Sequence, residues 1–99
     1  MTDKENKLSE VFTYLEKTIN DRKNSKEKSY TAELLSQGID RISQKVGEEA
    51  IEVVIASNNK KKKQVIYESA DLIFHLLVLC KKLGIKNNDI AKELLRRKK

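Results

Sequence analysis

The sequence predicts an all-α fold, a bundle of four to five helices completed by dimerisation. It contains no proline and only three glycines among 99 residues, so residues that interrupt helices are scarce. Runs of alternating apolar and polar residues between turn signals, which would indicate strands, do not occur in the sequence. Apolar residues instead recur at spacings of three and four along most of the chain, as in amphipathic helices. A chain of this length forms one domain, to which we assign residues 1–99.

The first two helices are predicted from apolar spacing and from capping residues. A first amphipathic helix is indicated by apolar residues at positions i, i+3, i+4, i+7 and i+11, namely Leu8, Val11, Phe12, Leu15 and Ile19. The polar segment 20–29 is interpreted as a loop. Thr31 can cap a short second helix, in which Leu34 and Leu35 face inward and which ends just before Gly38.

A third helix is predicted from about Ile39 to Ser57, with a polar cluster beside its core stripe. At about 100° per residue, one broad apolar arc contains Ile39, Ile42, Val46, Ala50, Val53 and Val54. The neighbouring arc contains Lys45, Glu48, Glu49 and Glu52. Ile51 and Ile55 lie outside the core stripe and suggest a second packing surface. Gly47 in mid-helix costs about 1 kcal/mol relative to alanine and permits close approach of a ligand or another backbone.

A fourth helix is predicted from about Lys63 to Leu83, ending at Gly84. Its segment 72–80 is apolar on nearly all sides, and a helix of that kind must be buried all round. A small monomer has difficulty burying it, so we expect at least a homodimer with this helix at its centre. A fifth short helix is predicted to start near Asn87 as its cap, with inward residues Ile90 and Leu94.

Composition favours a cytoplasmic protein that binds an anionic ligand. The formal net charge is +6, which permits a nucleotide or a nucleic acid as partner. Much of the excess lies in residues 60–63 and 96–99, interpreted as a solvated loop and tail, so nucleic-acid binding is not expected. The single Cys80 lies in an apolar run and is interpreted as a buried thiol. The N-terminus resembles no signal peptide, and no apolar run is long enough for a membrane span.

Two pairs of acidic residues carry the main chemical signal of the sequence. Glu49 and Glu52 form one pair and Glu68 and Asp71 the other, each spaced i, i+3 so that both carboxylates share a helix face. Four carboxylates between packed helices repel one another unless a cation lies among them, and Mg²⁺ prefers such oxygen ligands. Solvated helix faces also produce such pairs by chance, and from the residues alone both readings stand. For His75, one turn after Asp71, we expect a structural or supporting role.

Longer blocks of sequence resemble the phosphoribosyl-ATP pyrophosphatase family. The resemblance is carried by RISQKVGEEAIEV at 41–53 and ESADLIFHLLVL at 68–79. It continues in Arg22-Lys23 and in the segments 29–32, 38–40, 83–85 and 93–97. The E-x-x-E and E-x-x-D patterns alone belong to the wider all-α NTP pyrophosphatase superfamily, whereas the K-V-G-E-E, S-Y-T-A and H-L-L-V-L pieces narrow the match. One departure is Phe74, where the family often has tyrosine.

The resemblance implies Mg²⁺-dependent cleavage of phosphoribosyl-ATP to phosphoribosyl-AMP and pyrophosphate, the second step of histidine biosynthesis. It also implies a dimer or a higher oligomer. In some organisms this domain is fused to the cyclohydrolase of the next step, and nothing in these 99 residues resembles that partner. The alternative is a house-cleaning nucleoside triphosphate pyrophosphohydrolase acting on dUTP or noncanonical nucleotides, with the same chemistry in a different pocket.

The resemblance also suggests roles for individual residues. The metal ligands would be Glu49, Glu52, Glu68 and Asp71. Glu48 would orient or deprotonate the attacking water, and Lys45 either contacts the phosphates or pairs with Glu49. Arg22 and Lys23, in the expected loop, are candidates for phosphate contacts. Tyr30 either stacks on a base or packs at a helix start.

Overall fold

The computed structural model describes residues 7–24 and 29–97, which form five α-helices and no strand. The helices are α1 (Lys7–Asn24), α2 (Tyr30–Ser36), α3 (Ile39–Asn58), α4 (Lys62–Lys82) and α5 (Asn87–Arg97). The all-α prediction is therefore confirmed. None of these helices combines the length and apolar character that a membrane crossing requires.

Helices α3 and α4 form a tight antiparallel hairpin that is the scaffold of the fold. The turn centres on Lys60, whose φ of 57° is left-handed, and the Lys60 and Lys61 amides donate to the Ser57 and Ala56 carbonyls at the end of α3. Residues equally distant from Lys60 lie at the same level of the hairpin. Ile42 and Val78, each eighteen residues from Lys60, are both fully buried in the common core.

The core lies on one side of this hairpin, where α1 and α2 cover it. It consists of the buried side chains Ile19, Leu34, Leu35, Ile42, Leu77 and Val78. Helix α2 runs in the same direction as α4, because Tyr30 contacts His75 at one end and the Leu35 carbonyl accepts from Lys82 Nζ at 2.9 Å at the other. The inward orientation predicted for Leu34 and Leu35 is confirmed, as is the buried thiol of Cys80.

Helix α1 continues further than the sequence suggested. Residues 20–24, interpreted as the start of a loop, form its last turns, and residues 25–28 lie outside the described part of the chain. Arg22 and Lys23 are therefore helical, and their charges lie at the C-terminus where the helix dipole favours cations. The prediction that Thr31 caps the second helix is also wrong. Ser29 caps α2 instead, accepting from the Ala32 amide at 3.0 Å.

Helix α5 is attached to the bundle by polar contacts at its start. The side-chain amide of Asn87 donates to the Phe12 carbonyl at 2.8 Å, and its backbone amide donates to Glu16 Oε2 at 2.7 Å. Asn87 is therefore the first residue of α5 and joins it to α1, which corrects the prediction that Asn87 caps the helix. Ile90 is half-buried as predicted, whereas Leu94 is 65% exposed and does not face inward. Helix α5 packs chiefly against α1, so its side chains are only partly covered.

The segment 72–80 is largely covered within one protomer. His75, Leu77, Val78 and Cys80 are buried, and only Leu76 is classed as exposed. Leu72, Ile73, Phe74 and Leu79 are half-buried, and a dimer with this helix at its centre stays a prediction. Large apolar side chains are instead exposed nearer the hairpin turn, on both helices, at Ile51, Val54, Ile55, Ile66 and Tyr67. Ile39 and Val54, which were expected on the core stripe, are among the exposed residues. The space beside Gly47 is open, because a Cβ placed there would meet nothing within 4 Å.

Candidate metal centre

The α3–α4 hairpin brings Glu49 and Asp71 together. They lie eleven residues before and after Lys60, so the register that pairs Ile42 with Val78 also places these carboxylates side by side. One ligand atom from each of Glu49, Asp71 and His75 lies within 4.8 Å of the other two. Of the four carboxylates that the sequence predicted as ligands, the structure therefore joins one from each pair.

Glu49 is in an environment that disfavours its negative charge. It is 8% exposed, and a hydrogen bond with the Asp71 carboxyl, burial, and the charge of Asp71 raise its pKa, in that order. Lys45, whose Nζ lies 3.7 Å from Glu49 Oε2 and 3.6 Å from Glu48 Oε1, lowers the pKa again, as does protonated His75. The negative charge of Glu49 is thus disfavoured in the metal-free protein, and a bound cation would favour it.

Both ring nitrogens of His75 are held by protein partners. Nδ1 lies 2.8 Å from the backbone carbonyl oxygen of Asp71 and 3.3 Å from its Oδ1, and Nε2 lies 2.7 Å from the Tyr30 hydroxyl. The ring is 3% exposed and makes edge contacts with the rings of Tyr30 and Phe74, at centroid distances of 5.8 and 5.3 Å. Each ring nitrogen of His75 therefore already has a protein partner, and its structural or supporting role stays a prediction.

Glu52 and Glu68 lie outside this group but at a matching level. Each is eight residues from Lys60, one turn nearer the hairpin loop than Glu49 and Asp71. Glu52 is exposed, and Glu68 is half-buried and accepts from Gln64 Nε2 at 2.8 Å. Their position extends the acidic surface of the hairpin toward the turn.

The remaining candidate residues surround the carboxylates at greater exposure. Glu48 is exposed and accepts from Gln44 Nε2 at 3.0 Å, in addition to its contact with Lys45. Tyr30 is 55% exposed even though its hydroxyl is bonded to His75. Arg22 and Lys23 are exposed on the last turn of α1, and no contact in the described part of the chain joins them to the carboxylates. The Tyr30–His75 bond joins residues 45 positions apart and had no signal in the sequence.

The donor set fits a hard divalent cation. Carboxylate oxygens are the ligands that Mg²⁺ prefers, and the pKa of Glu49 is raised by a hydrogen bond with Asp71, by burial and by the charge of Asp71 in spite of Lys45 nearby. Because each nitrogen of the histidine already has a partner, the group has the oxygen character of a Mg²⁺ site and not the nitrogen or sulfur ligands typical of zinc.

Comparisons of the sequence with known proteins all indicate the same family. The family model described as phosphoribosyl-ATP pyrophosphohydrolase matches residues 12–98. The chain is 59% identical over 71 residues to a phosphoribosyl-ATP pyrophosphatase of Leptospira biflexa, covering 72% of this chain and 77% of that protein. It is 45% identical over 93 residues to the one from Geobacter sulfurreducens, covering 93% and 86% respectively. It is also 52% identical over 91 residues to the histidine biosynthesis bifunctional protein HisIE of Caldanaerobacter subterraneus, but the match spans 91% of this chain and only 44% of that protein.

Proposed function

Because the chain belongs to the phosphoribosyl-ATP pyrophosphohydrolase family, we propose that it hydrolyses phosphoribosyl-ATP to phosphoribosyl-AMP and pyrophosphate in histidine biosynthesis, with Mg²⁺ as cofactor. The match over residues 12–98 supports the substrate. The observation that carries the chemistry is the contact between Glu49 and Asp71 across the hairpin, inside the two blocks that resemble the family. The reaction is a hydrolysis of the α–β phosphoanhydride bond.

Four carboxylates are proposed to hold the metal. Glu49 and Asp71 are already in contact, and the hairpin register supports Glu52 and Glu68 as a second pair one turn along. Bound Mg²⁺ would neutralise phosphate charge and lower the pKa of a coordinated water. The chain's own contribution is to fix the carboxylates on two packed helices, where the hairpin and not a flexible loop sets their separation.

Lys45 and Glu48 are proposed to act beside the metal ligands. Lys45 Nζ lies between Glu48 and Glu49 at 3.6 and 3.7 Å, distances at which the ammonium can turn toward a phosphate oxygen without leaving the site. Glu48 is exposed and lies outside the group of Glu49, Asp71 and His75, so its carboxylate is accessible to a water beside that group. It is therefore the candidate to orient or deprotonate the attacking water.

The substrate's remaining groups are assigned to Arg22, Lys23 and Tyr30. Five peptide steps join Asn24 to Ser29, so the end of α1 lies within about 19 Å of the start of α2. Arg22 and Lys23 thus extend from the helix end nearest in sequence to Tyr30, which touches His75 at the site. Their charges suit the additional ribosyl phosphate of phosphoribosyl-ATP. The exposed ring of Tyr30 can stack on the adenine base.

A homodimer in the cytoplasm is proposed for the assembled enzyme. Exposed apolar side chains on both helices of the hairpin, near its turn, suit self-association, namely Ile51, Val54, Ile55, Ile66 and Tyr67. No nucleic acid and no membrane is included among the proposed partners.

The test is pyrophosphate release from phosphoribosyl-ATP, ATP and dUTP, each with Mg²⁺ and with a chelator. We expect strong preference for phosphoribosyl-ATP and no turnover after chelation. Equal turnover of all three nucleotides would assign the protein to the house-cleaning nucleoside triphosphate pyrophosphohydrolases, the alternative within the same superfamily.

A further inference from the structure

A chain of hydrogen bonds connects the start of α2 to the candidate metal ligand on α4. The Tyr30 hydroxyl is 2.7 Å from His75 Nε2, and His75 Nδ1 is 2.8 Å from the Asp71 carbonyl oxygen and 3.3 Å from the Asp71 carboxylate. The Ser29 cap fixes the first turn of α2 by accepting from the Ala32 amide at 3.0 Å. Tyr30 is thus presented to the histidine by a defined helix start.

The partners of His75 determine which of its nitrogens carries the proton. A backbone carbonyl oxygen can only accept, so the 2.8 Å contact with Asp71 requires a proton on Nδ1. In the neutral ring Nε2 then has a lone pair, which accepts the hydroxyl proton of Tyr30. The Asp71 carbonyl therefore selects the tautomer, which directs an N–H group at Asp71, and the Tyr30 hydroxyl holds the ring in place by donating to Nε2.

We propose that His75 is a positioning residue and not a metal ligand, and that Tyr30 holds the Nδ1–H imidazole in the orientation that places the Asp71 carboxylate beside Glu49. A metal ligand needs a nitrogen whose lone pair is free, and Nε2 is already hydrogen-bonded to the Tyr30 hydroxyl. Nδ1 lies within reach of the Asp71 carboxylate and restricts its rotation. That the positioned carboxylate serves Mg²⁺-dependent hydrolysis rests on the proposed function, whereas the tautomer and the ring orientation held by Tyr30 do not.

Edge contacts with two aromatic rings restrict the orientation of the His75 imidazole. His75 lies edge-on to Tyr30 and Phe74, at interplanar angles of 78° and 86°. The ring is therefore enclosed from two sides, and a turn about its Cβ–Cγ bond would break both hydrogen bonds. Because the same ring makes both hydrogen bonds, removal of the Tyr30 hydroxyl is expected to change the position of the imidazole relative to Asp71.

The tautomer can be observed directly, because His75 is the sole histidine of the chain. Long-range ¹H–¹⁵N NMR of the metal-free protein near neutral pH should show one imidazole with Nδ1 protonated. In Tyr30→Phe the phenyl ring stays while the hydroxyl is lost, and we expect the Nδ1–H tautomer to persist while the Nε2 resonance shifts because its hydrogen bond is gone. Tyr14→Phe, at an exposed tyrosine of helix α1, is the control and should leave the spectrum unchanged. A wild-type Nε2–H tautomer, or an unchanged spectrum in Tyr30→Phe, would overturn the proposal.

A second pair of variants separates positioning from ligation. An asparagine amide occupies the place of Nδ1–H, whereas a glutamine amide extends toward the place of Nε2. With Mn²⁺ as the probe ion, followed by EPR, His75→Asn should bind more tightly than His75→Gln, and Tyr30→Phe should bind about tenfold more weakly than wild type. Equal or tighter binding by His75→Gln would show that Nε2 matters and would contradict the proposal. If the NMR and Mn²⁺ results hold but phosphoribosyl-ATP is not hydrolysed, the proposed function fails and the positioning role stands.

Discussion

Glu49 and Asp71 face each other across the α3–α4 hairpin, eleven residues before and after Lys60, with one carboxylate oxygen of each within 4.8 Å of the other. The pKa of Glu49 is raised mainly by a side-chain hydrogen bond with Asp71, and further by burial and the charge of Asp71. Two carboxylates so close together are unfavourable when both are ionised. The hairpin thus holds a pair of oxygen donors whose repulsion a divalent cation would relieve.

Glu49→Gln tests whether this pair serves activity at the expense of stability. The amide keeps the shape and a hydrogen bond to Asp71 but removes one of the two negative charges, so the thermal stability of the metal-free protein should hold or rise. Pyrophosphate release should fall on the order of 100-fold, as for loss of a group that acts in the transition state. Glu10→Gln, in the exposed first turn of α1, is the control for both measurements. Near-normal activity in purified Glu49→Gln would remove this residue from the metal centre.

Glu52→Gln and Glu68→Gln test the second proposed carboxylate pair. Because both residues are eight positions from Lys60, each substitution should weaken Mn²⁺ binding, and the double variant should lose little more than the worse single one if both hold the same ion. Glu33→Gln, exposed on α2, should bind Mn²⁺ as wild type does. Wild-type affinity in both hairpin variants would restrict the centre to Glu49 and Asp71.

Ile66→Asp tests the proposed dimer surface. Ile66 is exposed in the protomer, so an aspartate there should leave the fold intact and shift sedimentation from dimer to monomer. The corresponding change at Leu95, exposed on α5, should leave the dimer in place. Val78→Asp should instead unfold the chain, since Val78 is fully buried within the protomer and the new charge would have no partner. A wild-type protein that sediments as a monomer would contradict the dimer.

Cys80 predicts one component of the pH dependence of stability. Burial raises the pKa of its thiol, so the folded chain keeps the proton at pH values where the unfolded chain has lost it. Stability is therefore unaffected below the ordinary thiol pKa of about 8.5 and falls as pH rises above it toward the folded value. Urea unfolding of wild type and Cys80→Ala, compared at pH 7 and pH 9.5, should show a smaller loss of stability in the variant. An equal loss in both proteins would exclude the thiol as the cause.

The sequence was sufficient for the parts of the fold that depend on periodicity. The bounds of α3 and α4 and the buried positions of Ile42 and Val78 follow from apolar spacing, and the i, i+3 carboxylates led to Glu49 and Asp71. Local polarity was misleading at the end of α1, because a solvated last turn and a loop have the same composition. Spacing also cannot indicate which residue of one helix meets a distant residue of another.

Two further differences have particular physical causes. The exposure of Leu94 arises because α5 packs chiefly on α1, so a short amphipathic helix at the edge of the bundle has no second layer to cover it. The Tyr30–His75 bond depends on the direction in which α2 crosses α4, and that direction is set by the packing of Leu34 and Leu35 into the core. The role of His75 beside Asp71 therefore became specific only with the folded arrangement.

The most direct measurement is the initial rate of pyrophosphate release from phosphoribosyl-ATP by the purified protein, with Mg²⁺, after chelation and after Mg²⁺ is restored. The paired carboxylates of the hairpin predict rapid release with Mg²⁺, loss of release on chelation and recovery on restoring the ion. ATP and dUTP should be cleaved far more slowly under the same conditions. Release that persists after chelation would contradict a metal centre built on Glu49 and Asp71.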